Sequence, residues 1–497
     1  MSGGELLILL ALALPLFAAA MIYAVGRMPD VRETLTLVAC IGLAIVAISI
    51  FVRVGQGDPP ALTLAEPLPG LAIAFRVEPL GALFAVMASV LWGVNSLFSI
   101  GYMRGRREAH QTRFYICFAL AMFGVMGIAF AANLFTLFLF YEALTFVTYP
   151  LVTHAGTPAA RRAGRIYLVT LVGASVLLFL PGIVGVQALA GSTTFTPGGL
   201  LNGRVDAVAG SALLLLLVFG AAKTALMPLH AWLPNAMVAP APVSALLHAV
   251  AVVKAGVFTV LKVSAYIFGP DLISTLPAAT WILWIAAGSI VIASLVALKK
   301  DDLKARLAWS TVSQLACVTT AAMLPMASGL VAGGLHMVFH AVAKITLFMC
   351  AGAIYVATGA SRVSEMGGVG RRMPWVFVAF LVASCAIVGL PPMAAMWSKC
   401  LLMTASFGSG EWFTAAALIA SSLLSLVFLM PVAFRALFSP ASDGAGGEFV
   451  RPGGTPATSL VALCLTAAAC VVLFVAVEPL ANYLAPIATI SFMEPAP

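Results

Sequence analysis

The chain has 497 residues, of which 62% are hydrophobic and only 9% charged, and its mean hydropathy is +1.09. A soluble domain carries about 45–50% apolar and about 25% charged residues, so a soluble core is excluded. The net charge of +8 does not point to nucleic acid, because the basic residues form no single patch and instead alternate from loop to loop.

Apolar windows near the ~20 residues needed to cross a bilayer recur along the whole chain. They predict spans at 5–26, 33–53, 79–101, 114–131, 133–154, 165–189, 208–238, 242–267, 279–298, 303–324, 328–357, 374–404, 413–438 and 457–477. The expectation is an all-α polytopic membrane protein of about fourteen transmembrane helices. Leu6 to Val25 is apolar but lacks a basic leader, so it reads as a mature first helix rather than a signal peptide. The longest pieces between spans, 54–78, 191–206 and 439–456, are rich in Gly, Pro and Thr and read as loops, with no room for a redox domain.

Eighteen Lys and Arg residues fall on odd-numbered loops, among them Arg27, Arg32, Arg104, Arg306, Arg362 and Arg451, against Arg53, Arg76 and Arg204 on even ones. By the positive-inside rule the odd loops are cytoplasmic, which puts both termini on the outer, periplasmic side of a bacterial inner membrane. The eight cysteines lie within or beside spans, form no CxxC pair, and read as small apolar filler. No dinucleotide fingerprint, P-loop, haem CxxCH or iron-sulfur spacing occurs, so no cofactor is expected, and any electron chemistry belongs to a partner.

A lysine and helix-breaking prolines occur together twice: Lys223 with Pro228 in the seventh span, and Lys399 with Pro391 and Pro392 in the twelfth. An offset of five spans reverses orientation in the membrane, the signature of inverted repeats built around broken helices. The expected organisation is a three-helix region at 1–113, a first five-helix repeat at 114–270, a second inverted one at 271–438, and a loop with a C-terminal helix at 439–497. Proline is also simply commoner in membrane helices, but that leaves the lysines unexplained.

Five basic residues lie within spans: Lys223, Lys254, Lys262, Lys344 and Lys399. Each lysine at a helix centre costs roughly 2.5–3.5 kcal/mol on insertion scales, so it marks function by default. Lys262, near the end of its span, reads as structural and able to snorkel to the surface. Burial favours the neutral amine and a nearby carboxylate restores the charged one, so a lysine whose partner approaches and departs can bind and release protons.

Glu142 is the one acid well inside a predicted span; Thr145 and Tyr149 follow on its face, and it is expected to pair with Lys223 across helices. A static ion pair is the alternative, although apolar replacements of such pairs are often neutral. His336, His340 and Lys344 fall at i, i+4 and i+8 and read as a proton-relay stripe, since no cluster supplies the remaining ligands of a metal site. His248 reads as part of the line or as a core histidine bonded to a carbonyl. His230 follows Pro228 and caps or lines the broken helix, whereas His110 and His154 lie at loop edges and read as solvated. Ser310, Ser313 and Gln314 suit either water-holding between charges or helix packing.

These residues resemble the antiporter-like membrane subunits shared by respiratory complex I, membrane-bound hydrogenases and multisubunit monovalent cation/proton antiporters. The resemblance covers nearly the whole chain. It is carried by Tyr141-Glu142-Ala143-Leu144-Thr145, by Lys223-Thr224-Ala225-Leu226-Met227-Pro228 running to Pro234, by Ala239 to His248, by Lys254-Ala255-Gly256-Val257, by His340 to Lys344, and by Gly389-Leu390-Pro391-Pro392. It implies that Glu142, Lys223, Lys254, His340, Lys344 and Lys399 line a water-filled proton path. Lys399 stands where some complex I members have glutamate, which makes the chain look more like the D-type antiporter component or the complex I paralogues that have lysine there. Ala395-Met396-Trp397 replaces the glycine-phenylalanine usual after the second break, and the long lateral helix of the largest complex I paralogue is not expected. The resemblance thus implies a proton-translocating subunit of a cation/proton antiporter, or the equivalent pumping subunit of a redox-driven complex. Its partners would be other membrane subunits, protons, sodium or potassium ions, and lipid, with no redox or hydrolytic site of its own.

Overall fold

Prolines open many of the helices, because proline at the first position has the right backbone angle and no N–H to satisfy. The computed structural model describes residues 2–68, 70–440 and 454–489, apart from the side chains of 68, 248, 488 and 489. His248 and Arg451, both assigned roles from the sequence, therefore lie outside the described side chains and residues, as does most of the 439–456 loop.

The N-terminal region consists of α1 (Gly3–Ala24), α2 (Pro29–Gly55), a hairpin of β1 (Ala61–Leu68) and β2 (Leu71–Arg76), and α3 (Pro79–Arg106). There follow α4 (Gln111–Phe130), α5 (Leu134–Val152), α6 (Pro158–Ala174) continuing through a π turn into α7 (Leu180–Ala190), and α8 (Ala207–Gly220). After α8 the chain breaks into short turns and α9 (Trp232–Asn235), then resumes as α10 (Ala241–Ala245), α11 (Val252–Val263) and α12 (Gly269–Thr275), joined by π turns at Leu246–Val250 and Ser264–Phe268. The remainder is α13 (Pro277–Lys299), α14 (Leu303–Met323), the 32-residue α15 (Ala327–Thr358), α16 (Pro374–Val388), α17 (Ala395–Gly408), α18 (Trp412–Phe438), α19 (Ala457–Val472), α20 (Val477–Leu484) and α21 (Pro486–Thr489).

Among the described residues, 10 helices are long and apolar enough to cross a membrane, or 11 if the bent pair α19–α20 counts as one. This is a multi-span membrane protein. Each of the predicted spans has a helix, but several are not single rods. The seventh and twelfth divide at their breaks, leaving the shorter apolar helices α8 and α16. The last ends at Val472, where the chain turns by 75° into α20. α14 is 21 residues long, but its Ser, Thr and Gln residues lower its hydropathy.

The 54–78 segment departs from the all-α expectation. Its strands pair antiparallel from Ala61 opposite Arg76 to Leu68 opposite Leu71, with irregularities around Ala65. An isolated two-stranded hairpin is marginal in water. Here the start of α5 fixes it: Asn133 Nδ2 donates to the Ala72 carbonyl at 2.8 Å, and the Ala74 N–H donates to Thr136 Oγ1 at 3.0 Å. Asn133 also caps α5, its Oδ1 accepting from the Thr136 N–H at 2.7 Å. Asn133→Ala removes both of the Asn133 bonds and is expected to lower stability by about 1–2 kcal/mol, read as an earlier thermal transition of the detergent-solubilised protein.

At the opposite end of the bundle the basic loops are partly neutralised. Arg32 lies 3% exposed in the first turn of α2, 3.2 Å from Glu33, and Arg104 binds both Glu33 and Asp30. Asp301 accepts from the Ser364 hydroxyl at 2.6 Å and N–H at 3.0 Å, bonds that hold its carboxyl below the usual carboxylate range and tie two loops together. His110 is exposed, but His154 is not solvated as its loop-edge position suggests. It is 5% exposed with its ring 6.3 Å from the Phe114 ring, and burial pushes its imidazole below the usual histidine value. The reason is tertiary: α4 folds its aromatic face over the end of α5.

A buried lysine line as the candidate functional site

A lysine inside a bundle needs acceptors, and a broken helix supplies them because its last carbonyls have lost their partners. At the second break, α16 ends at Val388 and Gly389 takes a φ of +90°, which favours glycine. Lys399, on α17, reaches back so that Nζ donates to the carbonyls of Ile387 at 2.7 Å and Val388 at 3.1 Å and to Ser422 Oγ at 3.0 Å. A cation at a helix C-terminus also complements the helix dipole.

The first break is arranged differently. Lys223 sits in a 3-10 turn after α8, fully buried, with Nζ donating to the Tyr141 carbonyl at 2.7 Å and lying 3.1 Å from the centre of the Tyr141 ring. The Lys223 N–H donates to Tyr141 Oη at 3.1 Å, so one tyrosine holds both ends of the residue. The expected direct pairing of Lys223 with Glu142 is not present: no ion pair joins them within the 4.0 Å that such a contact requires. Adjacent residues of a helix point about 100° apart, so Tyr141 faces the break while Glu142 stands to one side. Glu142 is half-buried, and its Oε1 is enclosed without a hydrogen-bond partner among the described residues. Thr145 donates to the same Tyr141 carbonyl at 3.2 Å rather than to the carboxylate. The break is closed by Trp232, whose Nε1 donates to the Ala222 carbonyl at 3.0 Å. Both breaks carry a cis proline bond, Met227–Pro228 and Pro391–Pro392, and Pro391 and Pro392 are exposed. His230 is half-buried with its ring 5.2 Å from the Trp309 ring.

Between the breaks, α11, α14 and α15 bring the remaining groups together. Lys254 Nζ lies 2.6 Å from His340 Nδ1, both fully enclosed. One turn on, Lys344 Nζ donates to Ser310 Oγ at 2.7 Å and the Leu307 carbonyl at 3.2 Å. In the other direction His336 Nδ1 meets Ser398 Oγ at 3.0 Å, the residue next to Lys399. The His336 and His340 rings stand 6.1 Å apart and nearly parallel, and the Nε2 of each is buried without a hydrogen-bond partner among the described side chains. Ser313 and Gln314 serve a neighbouring polar patch: Ser313 Oγ lies 2.9 Å from Ser294 Oγ and 3.1 Å from Ser421 Oγ, and Gln314 Nε2 donates to Ser421 at 3.4 Å.

Close approach makes this possible. A Cβ on Gly256 would overlap the backbone of Lys223 and Thr224, so α11 abuts the first break only because residue 256 is glycine. Gly256→Ala is expected to destabilise the protein by about 1–3 kcal/mol and to lower transport with it, measured as thermal shift and vesicle flux on one preparation.

Sequence reasoning missed Tyr141 as the lysine anchor, and Ser398 and Ser422 as partners; a serine or a tyrosine in a membrane helix carries no signal of which carbonyl or lysine it will meet. It also misread Lys262, which does not snorkel. Lys262 is fully buried, 2.8 Å from Glu78 Oε2 and donating to the Ala131 carbonyl at 2.6 Å. Glu78, at the N-cap of α3, and the Ala131 turn cover the end of α11 and keep Lys262 itself from solvent. A cavity of about 320 Å³ opens at the other end of the bundle, where Arg106, Glu108, Asp302 and Lys304 meet Tyr102 and Tyr355.

Broken helices holding lysines, with a row of buried histidines and lysines between them across a many-helix bundle, are the architecture of an antiporter-like membrane subunit. Residues 131–425 match the family described as NADH:quinone oxidoreductase/Mrp antiporter, TM, and the chain belongs to that family. It is 30% identical over 483 residues, 94% of this chain and 95% of the relative, to the N subunit of the NADH-quinone oxidoreductase of Desulforudis audaxviator. It is 24% identical over 481 residues, 96% of this chain and 95% of the relative, to the D subunit of the Na(+)/H(+) antiporter of Alkalihalophilus pseudofirmus. Its fold matches a chain in the structure of the Mrp complex from Dietzia sp. with a TM-score of 0.88 at 21% identity, covering 99% of this chain and 98% of that one. Those relatives are subunits of larger membrane assemblies.

Proposed function

We propose that this chain is the proton-translocating subunit of a multisubunit monovalent cation/proton antiporter. The observation that carries the reading is the line Lys254–His340, Lys344–Ser310, His336–Ser398 and Lys399–Ser422, in which each titratable group rests on another exchangeable group within 3.0 Å. Groups bonded in this way can pass a proton without crossing an apolar gap. Lys223, with Glu142 beside it, forms the end of the line at the first break. The unused Nε2 atoms of the two histidines and Oε1 of Glu142 leave capacity for water to complete the steps between neighbours.

In this reading 114–270 and 271–438 act as two opposed halves, each with a lysine at a broken helix, and the basic odd-numbered loops face the cytoplasm of a bacterium, leaving both chain ends outside. Sodium or potassium would be carried by the assembly, with other membrane subunits as partners. The 30% identity to the N subunit of an NADH-quinone oxidoreductase favours a second reading, in which the same line is driven by a redox partner.

The test is to express the complete gene cluster in cells lacking their own sodium exporters and measure exchange in inverted vesicles. Sodium- or potassium-dependent proton movement is the expected result. Proton uptake driven by NADH, with no cation dependence, would replace the first reading by the second.

A further inference from the structure

Lys262 and Glu78 form an ion pair in which the lysine side chain is 0% exposed and the glutamate side chain 13%, with the bonded Oε2 enclosed, so the glutamate is the partner nearer solvent. Lys262 stands on α11, eight residues beyond Lys254, or about 12 Å along the axis. The Phe195 ring lies 4.4 Å and the Phe258 ring 5.6 Å from its Nζ, and the start of α3 and the Ala131 turn flank the pair. Ser264, in the π turn two residues beyond Lys262, has a buried hydroxyl with no hydrogen-bond partner among the described residues.

A purely structural staple does not account for the pair. The hairpin is already fastened by neutral bonds: Asn133 to Ala72, the Ala74 N–H to Thr136, the Ala132 N–H to the Ala74 carbonyl at 2.9 Å and the Val77 N–H to the Pro60 carbonyl at 3.0 Å. Burying a lysine and a carboxylate adds little to such a seam, since apolar replacements of a buried pair are often neutral or better.

We infer that Glu78 and Lys262 are the outer proton gate of the lysine line, joining Lys254 to the face of the protein covered by the hairpin. This deepens the proton-translocation reading and rests on it. The step balances. Lys262 releases a proton from Nζ inward toward Lys254 and becomes a neutral amine; Glu78 takes a proton from solvent and passes it to Nζ, restoring the ion pair with one proton moved.

Two variants separate a gate from a staple in the assembled complex. Lys262→Arg keeps the ion pair but cannot release a proton at working pH. The double variant Glu78→Gln with Lys262→Met removes both charges together. Lys223→Ala serves as the control on the line itself, and assembly is checked by native gel. The expected result is that Lys262→Arg assembles as the parent does and loses at least about tenfold of the vesicle proton flux, with the double variant equally impaired. Parental flux in Lys262→Arg and in the double variant, with flux lost in Lys223→Ala, overturns the gate and leaves the line standing. Flux unchanged in all three overturns the line as well.

Discussion

Replacing Lys223 by Ala is expected to reduce proton flux through the assembled complex by at least about 100-fold, the scale of losing a positioned acid-base group. Lys223 is held at the first break by the carbonyl and ring of Tyr141. Two effects of the substitution must be kept apart. Loss of the amine removes the group that carries the proton in the proposed function. It also frees the Tyr141 carbonyl, which retains the Thr145 hydroxyl at 3.2 Å, so the backbone there is not left wholly unsatisfied. Because the break is closed independently by Trp232 on the Ala222 carbonyl, assembly should persist. Lys223→Arg sharpens the test: it keeps a cation for the carbonyl but binds its proton too tightly to release it, so flux should fall while assembly stays at the parental level. Glu142→Gln is expected to have a smaller effect than Lys223→Ala, since the carboxylate makes no direct contact with the amine. The readout is dye-reported acidification of inverted vesicles, normalised to assembled complex. Flux equal to the parent in Lys223→Ala would remove this residue from the path.

His340→Gln is expected to lower flux by about tenfold or more while leaving the fold intact. Its Nδ1 lies 2.6 Å from Lys254 Nζ, a direct contact between two titratable side chains in the line. A glutamine carbonyl can still accept a bond from the lysine, so the buried ammonium keeps a partner, but the amide cannot take up and return a proton. His340→Leu differs in the useful direction: it leaves the amine unpartnered and should also reduce stability, by about 1–3 kcal/mol. Comparing the two separates relay from support. Because residues in one hydrogen-bonded network do not act independently, His340→Gln combined with Lys254→Met should lose little more flux than Lys254→Met alone. Additive losses would mean that the two residues serve different routes.

The line of groups in these predictions was only half legible in the sequence. Lys223, Lys254, Lys344 and Lys399 stand out because charge inside an apolar window has few explanations, and His336, His340 and Lys344 because helical spacing puts them on neighbouring turns. Contacts between helices carry no comparable mark. The i+8 spacing could not tell that Lys344 would find Ser310 on α14 while His336 would find Ser398 on α17. The Glu142–Lys223 pairing failed for a related reason: charge complementarity proposes a pair, but the rotation of α5 decides whether Tyr141 or Glu142 meets the break.

The same division holds for the fold. Hydropathy and proline placement determined that the chain is a helical membrane protein and where its helices begin and break, because both follow from local physics: the cost of polar groups in lipid and the missing N–H of proline. Loop charge determined the sidedness expected of it. The hairpin at 61–76, the burial of His154 and the Glu78–Lys262 pair were decided by tertiary packing alone. Each depends on which segment, distant in the chain, covers the residue: the start of α5 for the hairpin, α4 for His154, and α3 for Lys262. A lysine near the end of an apolar run looks able to reach water until another element is laid across its exit, and only the assembled bundle lays it there.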